Sequence, residues 1–298
     1  MFSLRRIWKY TRIDFKNWER SPRIVITFIL AAILCLMLSN RAIDFADKYG
    51  TYTQLFEVFI WTFGDSSSIM LSSLLLMLLL GDIPFVTPAT PYQLVRSSRI
   101  EWVLGQLLYV FISSAIYISY LLVITCVLSA HISYIGNKWS KTSALLGYSG
   151  VGRKIALPTS VKALEMSSPY ACVLMIFVLM LLYAFFISAI MFLFNLYRNK
   201  YWGVVSVIVV NMYGLFLSPG IFKKIFHLSG ALEYRANVAA GWLSPLNQAT
   251  YYMHNFGTDY LPSITISIVL FVVIIGLLYF LICKRVRKYE FSFIQAGV

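Results

Sequence analysis

Apolar residues run in six blocks along the chain, at Ile24–Ser39, Ser66–Gly81, Trp102–Ala130, Tyr170–Leu196, Gly203–Pro219 and Ser263–Cys283, and none of these contains Asp, Glu, Lys or Arg. A hydrocarbon core about 30 Å thick is crossed by about 20 apolar residues of helix, so each block predicts a membrane span. The second is short unless it begins near Val58, which would bring Asp65 into the outer leaflet. The third and fourth are long enough to tilt or to project beyond the lipid. The pattern predicts an all-α, polytopic membrane protein of one transmembrane domain.

The stretches between the blocks carry their own patterns. Leu4, Ile7, Trp8, Thr11, Phe15 and Trp18 recur at three- and four-residue steps, with Arg5, Arg6, Lys9, Arg12, Lys16 and Arg20 at the other positions. Residues 1–22 therefore predict a basic amphipathic helix in the membrane interface, its Trp at headgroup depth and its Lys and Arg on anionic lipid. It serves either as a plain anchor or as a dock for a partner. In residues 82–101, Pro84, Pro88 and Pro91 break the helix leaving the second span. Tyr92–Glu101 then predicts a short helix that runs into the third span and carries Arg96 and Arg99. Such a stiff elbow can transmit force from a soluble partner, or it can be a simple connection. Residues 220–262 are too rich in Trp242, Tyr251, Tyr252 and Phe256 for a free loop, and short helices dipping into the outer interface would satisfy their backbone. Asn137–Pro169, with Gly147, Gly150 and Gly152, reads as a flexible outer connection.

Composition agrees. Of 298 residues 59% are hydrophobic and 12% charged, with a mean hydropathy of +0.76, which excludes an ordinary soluble globule, a disordered chain and a nucleic-acid-binding module. The net charge of +13 reports orientation rather than nucleic acid. With the N-terminus inside, the inner segments hold seven basic residues before the first span, Arg96 and Arg99, Arg198 and Lys200, and Lys284, Arg285, Arg287 and Lys288. These are fifteen of the 25 Lys and Arg, all on short segments. The positive-inside rule puts both termini in the cytoplasm. The first apolar block follows too long a charged segment for a signal peptide, so it reads as a retained anchor. Cys35, Cys126, Cys172 and Cys283 lie inside apolar blocks without metal-site spacing and read as packing residues.

Convergent catalytic groups are missing from the pattern. His131, His227 and His254 are scattered, with no His-Glu-x-x-His pair, and no carboxylate stands inside a span as a proton relay. The run Gly147–Lys154 superficially follows a phosphate loop but lacks Gly-Lys-Ser/Thr and follows no strand. The chain reads as no enzyme, with no cofactor or metal of its own. Polar residues in the spans are few: Gln106, Asn195, Asn211, Ser66, Ser67, Ser68, Ser72 and Ser73. Such groups either hold helices together or line a path. The candidate path residues are Asp65, Ser68, Ser72, Gln106 and Asn211. A path of Tyr, Phe, Met and Ser without charges suits an amphipathic or lipid-like solute better than an ion.

The sequence resembles the permease subunits of ABC-2-type exporters of Gram-positive bacteria. The likeness rests on six spans with both ends inside, the amphipathic N-terminal helix, the first inner loop, and the phrases Gly81–Phe85 (GDIPF), Arg99–Gln106 (RIEWVLGQ), Trp242–Asn247 (WLSPLN) and Lys288–Phe291 (KYEF). It covers nearly the whole chain, although Asn137–Pro169 is longer than the family's usual link. It implies a homo- or heterodimer of permeases in the cell membrane, with separate ATPase subunits that bind ATP and Mg. It also implies a coupling role for Tyr92, Arg96, Arg99 and Glu101, an interface helix carrying Trp8, Arg12, Phe15 and Trp18, and a path flanked by spans one, two and five. The expected cargo is an amphipathic peptide such as a toxin or bacteriocin, with drugs and lipids as alternatives. The other classes in view are a secondary transporter or channel, and a membrane sensor or scaffold.

Overall fold

The computed structural model describes the chain except residues 1–2, 17, 19–20, 87–89, 97, 150, 155–156, 158, 198–200, 218, 228–232, 258 and 290–298. It is a helical bundle. Among the described residues four helices are long and apolar enough to cross a membrane: α2 (Pro22–Tyr49), α6 (Arg99–Ser129, continued by a 3-10 turn to Ile132), α10 (Pro169–Tyr197) and α15 (Ile264–Val286). Two bent pairs bring the number to as many as six. They are α3 (Glu57–Phe63) with α4 (Ser66–Leu80), and α11 (Tyr201–Phe216) with α12 (Pro219–Ile225). A further helix, α1 (Leu4–Lys16), precedes the bundle.

The helix ends follow local chemistry. Pro22 opens α2, where its missing N–H costs nothing. Gly50 closes it in the left-handed region (φ 59°), a conformation that glycine reaches without strain. Ser98 and Glu101 form a reciprocal capping box at the start of α6, and Ser263 caps α15 by accepting from the Ile266 N–H. Lys284 and Arg285 in the last turn of α15 complement the carbonyl end of the helix dipole.

The central member is α10, against which α6, α11 and α15 pack. Across its most apolar stretch 61% is buried, against 22% for α15 and 28% for α2, which present outer faces suited to lipid. The apolar stretch from Val58 does not run on into the second block as one straight helix. Gly64 and Asp65 break it, and α3 turns 85° from α4. A Cβ on Gly64 would collide with the Tyr252 ring, so only glycine lets the chain pass there. Asp65 then starts α4, its Oδ2 accepting from the Ser67 N–H at 3.1 Å.

The bundle's far end, opposite the chain termini, is more structured than the sequence suggests. At 28 and 31 residues, α2 and α6 are about 42 and 46 Å long, so both outrun a 30 Å core. Asn137–Pro169 is not a flexible connection, because it holds α7 (Lys141–Tyr148), α8 (Val151–Lys154) and α9 (Val161–Met166). Leu146 and Leu157 from this segment close a separate small core with Ala42, Phe45, Val58 and Trp61. The fold is all-α as expected, with one two-residue parallel pair beside the helices, β1 (Thr53–Gln54) with β2 (Ser133–Tyr134). Glu57 organises this dome: its carboxylate accepts from the Ser140 N–H at 2.7 Å, the Ser140 hydroxyl at 2.5 Å and the Gln54 N–H at 2.9 Å. Residues 220–262 contain short helices as expected, including α13 (Glu233–Leu243) and α14 (Pro245–Ala249).

Candidate functional site: the elbow between α4 and α6

Residues 81–98 leave α4 and return into α6, with the short helix α5 (Thr90–Arg96) on the way. The segment is fastened to α2, α6 and α10 at the terminal end of the bundle. Asp82 pairs with Arg23 of α2 at 2.7 Å. The Ile83 carbonyl accepts from the Asn195 side chain of α10, whose Oδ1 in turn accepts from the Gly203 N–H of α11 at 2.9 Å. The Phe85 N–H donates to Gln106 Oε1 of α6 at 3.2 Å, and the Phe85 ring meets the Tyr109 ring edge-on at 4.9 Å. Ile83 and Pro84 are buried.

The far side of the elbow is tied down by the first turn of α6. Arg99 Nη1 donates to three backbone carbonyls at the end of α15, those of Val286, Arg287 and Tyr289, at 3.0, 2.7 and 3.1 Å. A guanidinium on the carbonyl end of a helix gains both the hydrogen bonds and the dipole. Beside it, Arg285 of α15 stacks over the Tyr197 ring of α10 at 4.7 Å. Glu101 faces the other way: its Oε1 accepts from the Ser3 N–H at 3.0 Å and pairs with Arg6 at 3.1 Å, which anchors the start of α1.

Helix α1 packs on α6 rather than lying free. Ile7, Tyr10, Thr11 and Asp14 are buried against it, and Thr11 donates to the Gly105 carbonyl at 3.0 Å. A Cβ on Gly105 would come within 2.9 Å of the Tyr10 Cβ. This splits the single apolar stripe read from the sequence. Phe15 and Trp18 turn partly inward, with the Trp18 N–H donating to the Tyr109 hydroxyl at 2.7 Å. Leu4 and Trp8 point away, 81% and 57% exposed, beside exposed Arg5, Lys9, Arg12 and Lys16. On a 3.6-residue helix the outward edge thus pairs an apolar strip with a basic one.

The expected coupling residues fall into three situations. The side chains of Tyr92 and Arg96 lie outside the described part, as do residues 198–200 with Arg198 and Lys200. Arg99 is exposed and holds α15. Glu101 is 2% exposed and committed to α1 and its own cap, so it offers no surface to a second protein.

Of the expected path residues, Ser72 and Asn211 are both buried in the bundle, and Asn211 bonds to Ser73, the neighbour of Ser72. Asn211 Oδ1 accepts from Ser73 at 2.8 Å and from the Tyr183 hydroxyl at 3.1 Å, and the Tyr117 hydroxyl donates to the Ser72 carbonyl at 3.0 Å. The cluster joins α4, α6, α10 and α11 beside a void with room for about one water molecule. Ser68 is buried on α4, and Asp65 caps the N-terminal end of that helix. Gln106 is elsewhere, in the elbow junction. Sequence reasoning missed Asn195, Asp82 and Asp14 as elbow contacts. The signal available was a polar side chain on an otherwise apolar helix face beside a proline-broken loop.

Comparison with protein-family models, curated proteins and solved structures finds no match to this chain. The geometry and the sequence resemblance therefore carry the functional reading. All four cysteines are free thiols, and no cluster of metal-ligating side chains occurs among the described residues.

Proposed function

We propose that this chain is the permease subunit of an ATP-driven exporter of the ABC-2 type, embedded in a bacterial cell membrane with both termini in the cytoplasm. A separate ATPase subunit binds ATP and Mg and acts on the elbow, a second permease subunit completes the path, and the cargo is an amphipathic peptide. One observation supports the reading above the rest: the elbow is bonded at once to α2, α6 and α10, and the first turn of α6, into which it runs, holds the end of α15. A push on a segment so fastened moves the whole terminal end of the bundle, whereas a plain connecting loop has no need of these ties. Arg99 has a particular task in this scheme, carrying elbow motion to the end of α15.

The test is purification of the tagged chain from its native membrane in mild detergent. An ATP-binding subunit is expected to copurify, and the complex to hydrolyse ATP. Arg99→Ala should leave that complex assembled and lower cargo-stimulated hydrolysis about tenfold, equivalent to about 1.4 kcal/mol of lost charge-assisted hydrogen bonding. A chain that copurifies with no nucleotide-binding protein overturns the proposal. A complex whose Arg99→Ala form is fully coupled removes the role of Arg99 alone.

A further inference from the structure

Asp14 plays no part in the reading above, yet it sits where three elements meet. It shares the buried face of α1 with Ile7, Tyr10 and Thr11 and is 6% exposed. Its Oδ2 accepts from Gln106 Nε2 at 2.7 Å, and Gln106 Oε1 accepts from the Phe85 N–H at 3.2 Å. The Phe85 bond decides the amide's orientation: with its oxygen committed to an N–H, Gln106 turns its NH2 to the carboxyl. One short chain of bonds thus joins α1, α6 and the elbow.

Among the described residues no cation stands against Asp14. From α6 it meets Gln106, with the Tyr109 hydroxyl nearby and bonded to Trp18. From the elbow and α2 come Asp82 and Arg23, which neutralise each other. Glu101 and Arg6 pair at the opposite end of α1. On α1 itself Arg12 and Lys16 are exposed. Among the described residues the sole hydrogen-bond partner of Asp14 is therefore a neutral amide. His131 and His254 both belong to segments at the far end, and His227 follows α12. Burial without a cation pushes the carboxyl up to about 7.

We infer that Asp14, Gln106 and the Phe85 backbone form a proton-operated latch that fastens α1 to the elbow, tight with Asp14 protonated and loosened when it ionises. The sign follows from linkage. An undocked Asp titrates near 3.8 and the docked one near 7, so docking is strongest with the proton on. Its strength falls as pH rises from about 4 to about 7 and is level above that. Acidification on the α1 side of the membrane therefore tightens the elbow, and alkalinisation frees it. The latch stands on the contacts of α1 and is independent of what the chain transports.

Hydrogen exchange on the full chain in lipid nanodiscs between pH 5 and pH 8, corrected for the intrinsic exchange rate, tests it. Protection of the α1 amides around Thr11–Asp14 and of the Phe85 amide should fall together, by roughly fifty- to hundredfold over that range for a carboxyl shifted this far. Protection in the middle of α10 should stay constant. Asp14→Asn, which keeps the shape and loses the charge, should hold both sites protected at every pH. Asp14→Leu provides a second non-titrating side chain should the asparagine disturb the seam. Flat protection in the unaltered chain overturns the latch, as does the same pH dependence in both variants. A response of α1 without Phe85 also overturns it, because the elbow would then not be held.

Discussion

At Gly203 the first turn of α11 lies so close to α10 that a Cβ would collide with the Asn195 amide, the same amide that holds the Ile83 carbonyl of the elbow. Gly203→Ala must push that side chain aside, which breaks two bonds at one stroke. Overpacking of this kind costs about 2 kcal/mol. The variant is expected to unfold at lower temperature in detergent, and an unchanged Tm would mean the seam yields freely. Neither partner of this contact advertises the other in the chain, since they lie on different helices eight residues apart. The N-terminal helix shows the same limit. Its period of three and four was plain, but Trp8, Arg12, Phe15 and Trp18 read as one interface set. Packing on α6 turned Phe15 and Trp18 inward and left Trp8 and Arg12 out. A helical wheel gives the angles between side chains and not which neighbour occupies the adjoining face.

Among the elements, the dome shows how one buried carboxylate can organise a segment that looked structureless. Glu57 receives three hydrogen bonds from Ser140 and Gln54, and Thr142 of α7 bonds to the Tyr52 carbonyl at 3.0 Å beside them. Glu57→Leu would leave those donors buried and unmet, at about 1–3 kcal/mol each. The expected result is selective proteolysis within residues 137–169, with the bundle intact. Protection equal to the unaltered chain would show that the small core of Ala42, Phe45, Trp61 and Leu146 suffices without it. Helix ends, by contrast, were legible where side chains cap their own backbone, as at Ser98 with Glu101. The break between α3 and α4 was not, since it depends on Tyr252, almost two hundred residues away, passing over Gly64.

For the whole molecule, the count of Lys and Arg on short segments predicts both termini in the cytoplasm. Reporter fusions at residue 1 and residue 298 should be active only as cytoplasmic forms; an external signal from either end would invert the scheme and with it the side from which the elbow is driven. What the chain determined by itself was the membrane class, the positions of the apolar blocks and the elbow's proline frame. Those properties are carried by composition and by neighbours within a few turns, which a linear reading contains. Tertiary structure alone decided that Gln106 belongs to the elbow and not beside Ser72 and Asn211, that Glu101 is enclosed by α1, and that Arg99 holds the end of α15. Each of these rests on contacts between residues some 20 to 190 positions apart. Such pairings follow from how helices settle against one another once buried polar groups must all find partners, a condition set by the assembled bundle and not by any one stretch of it.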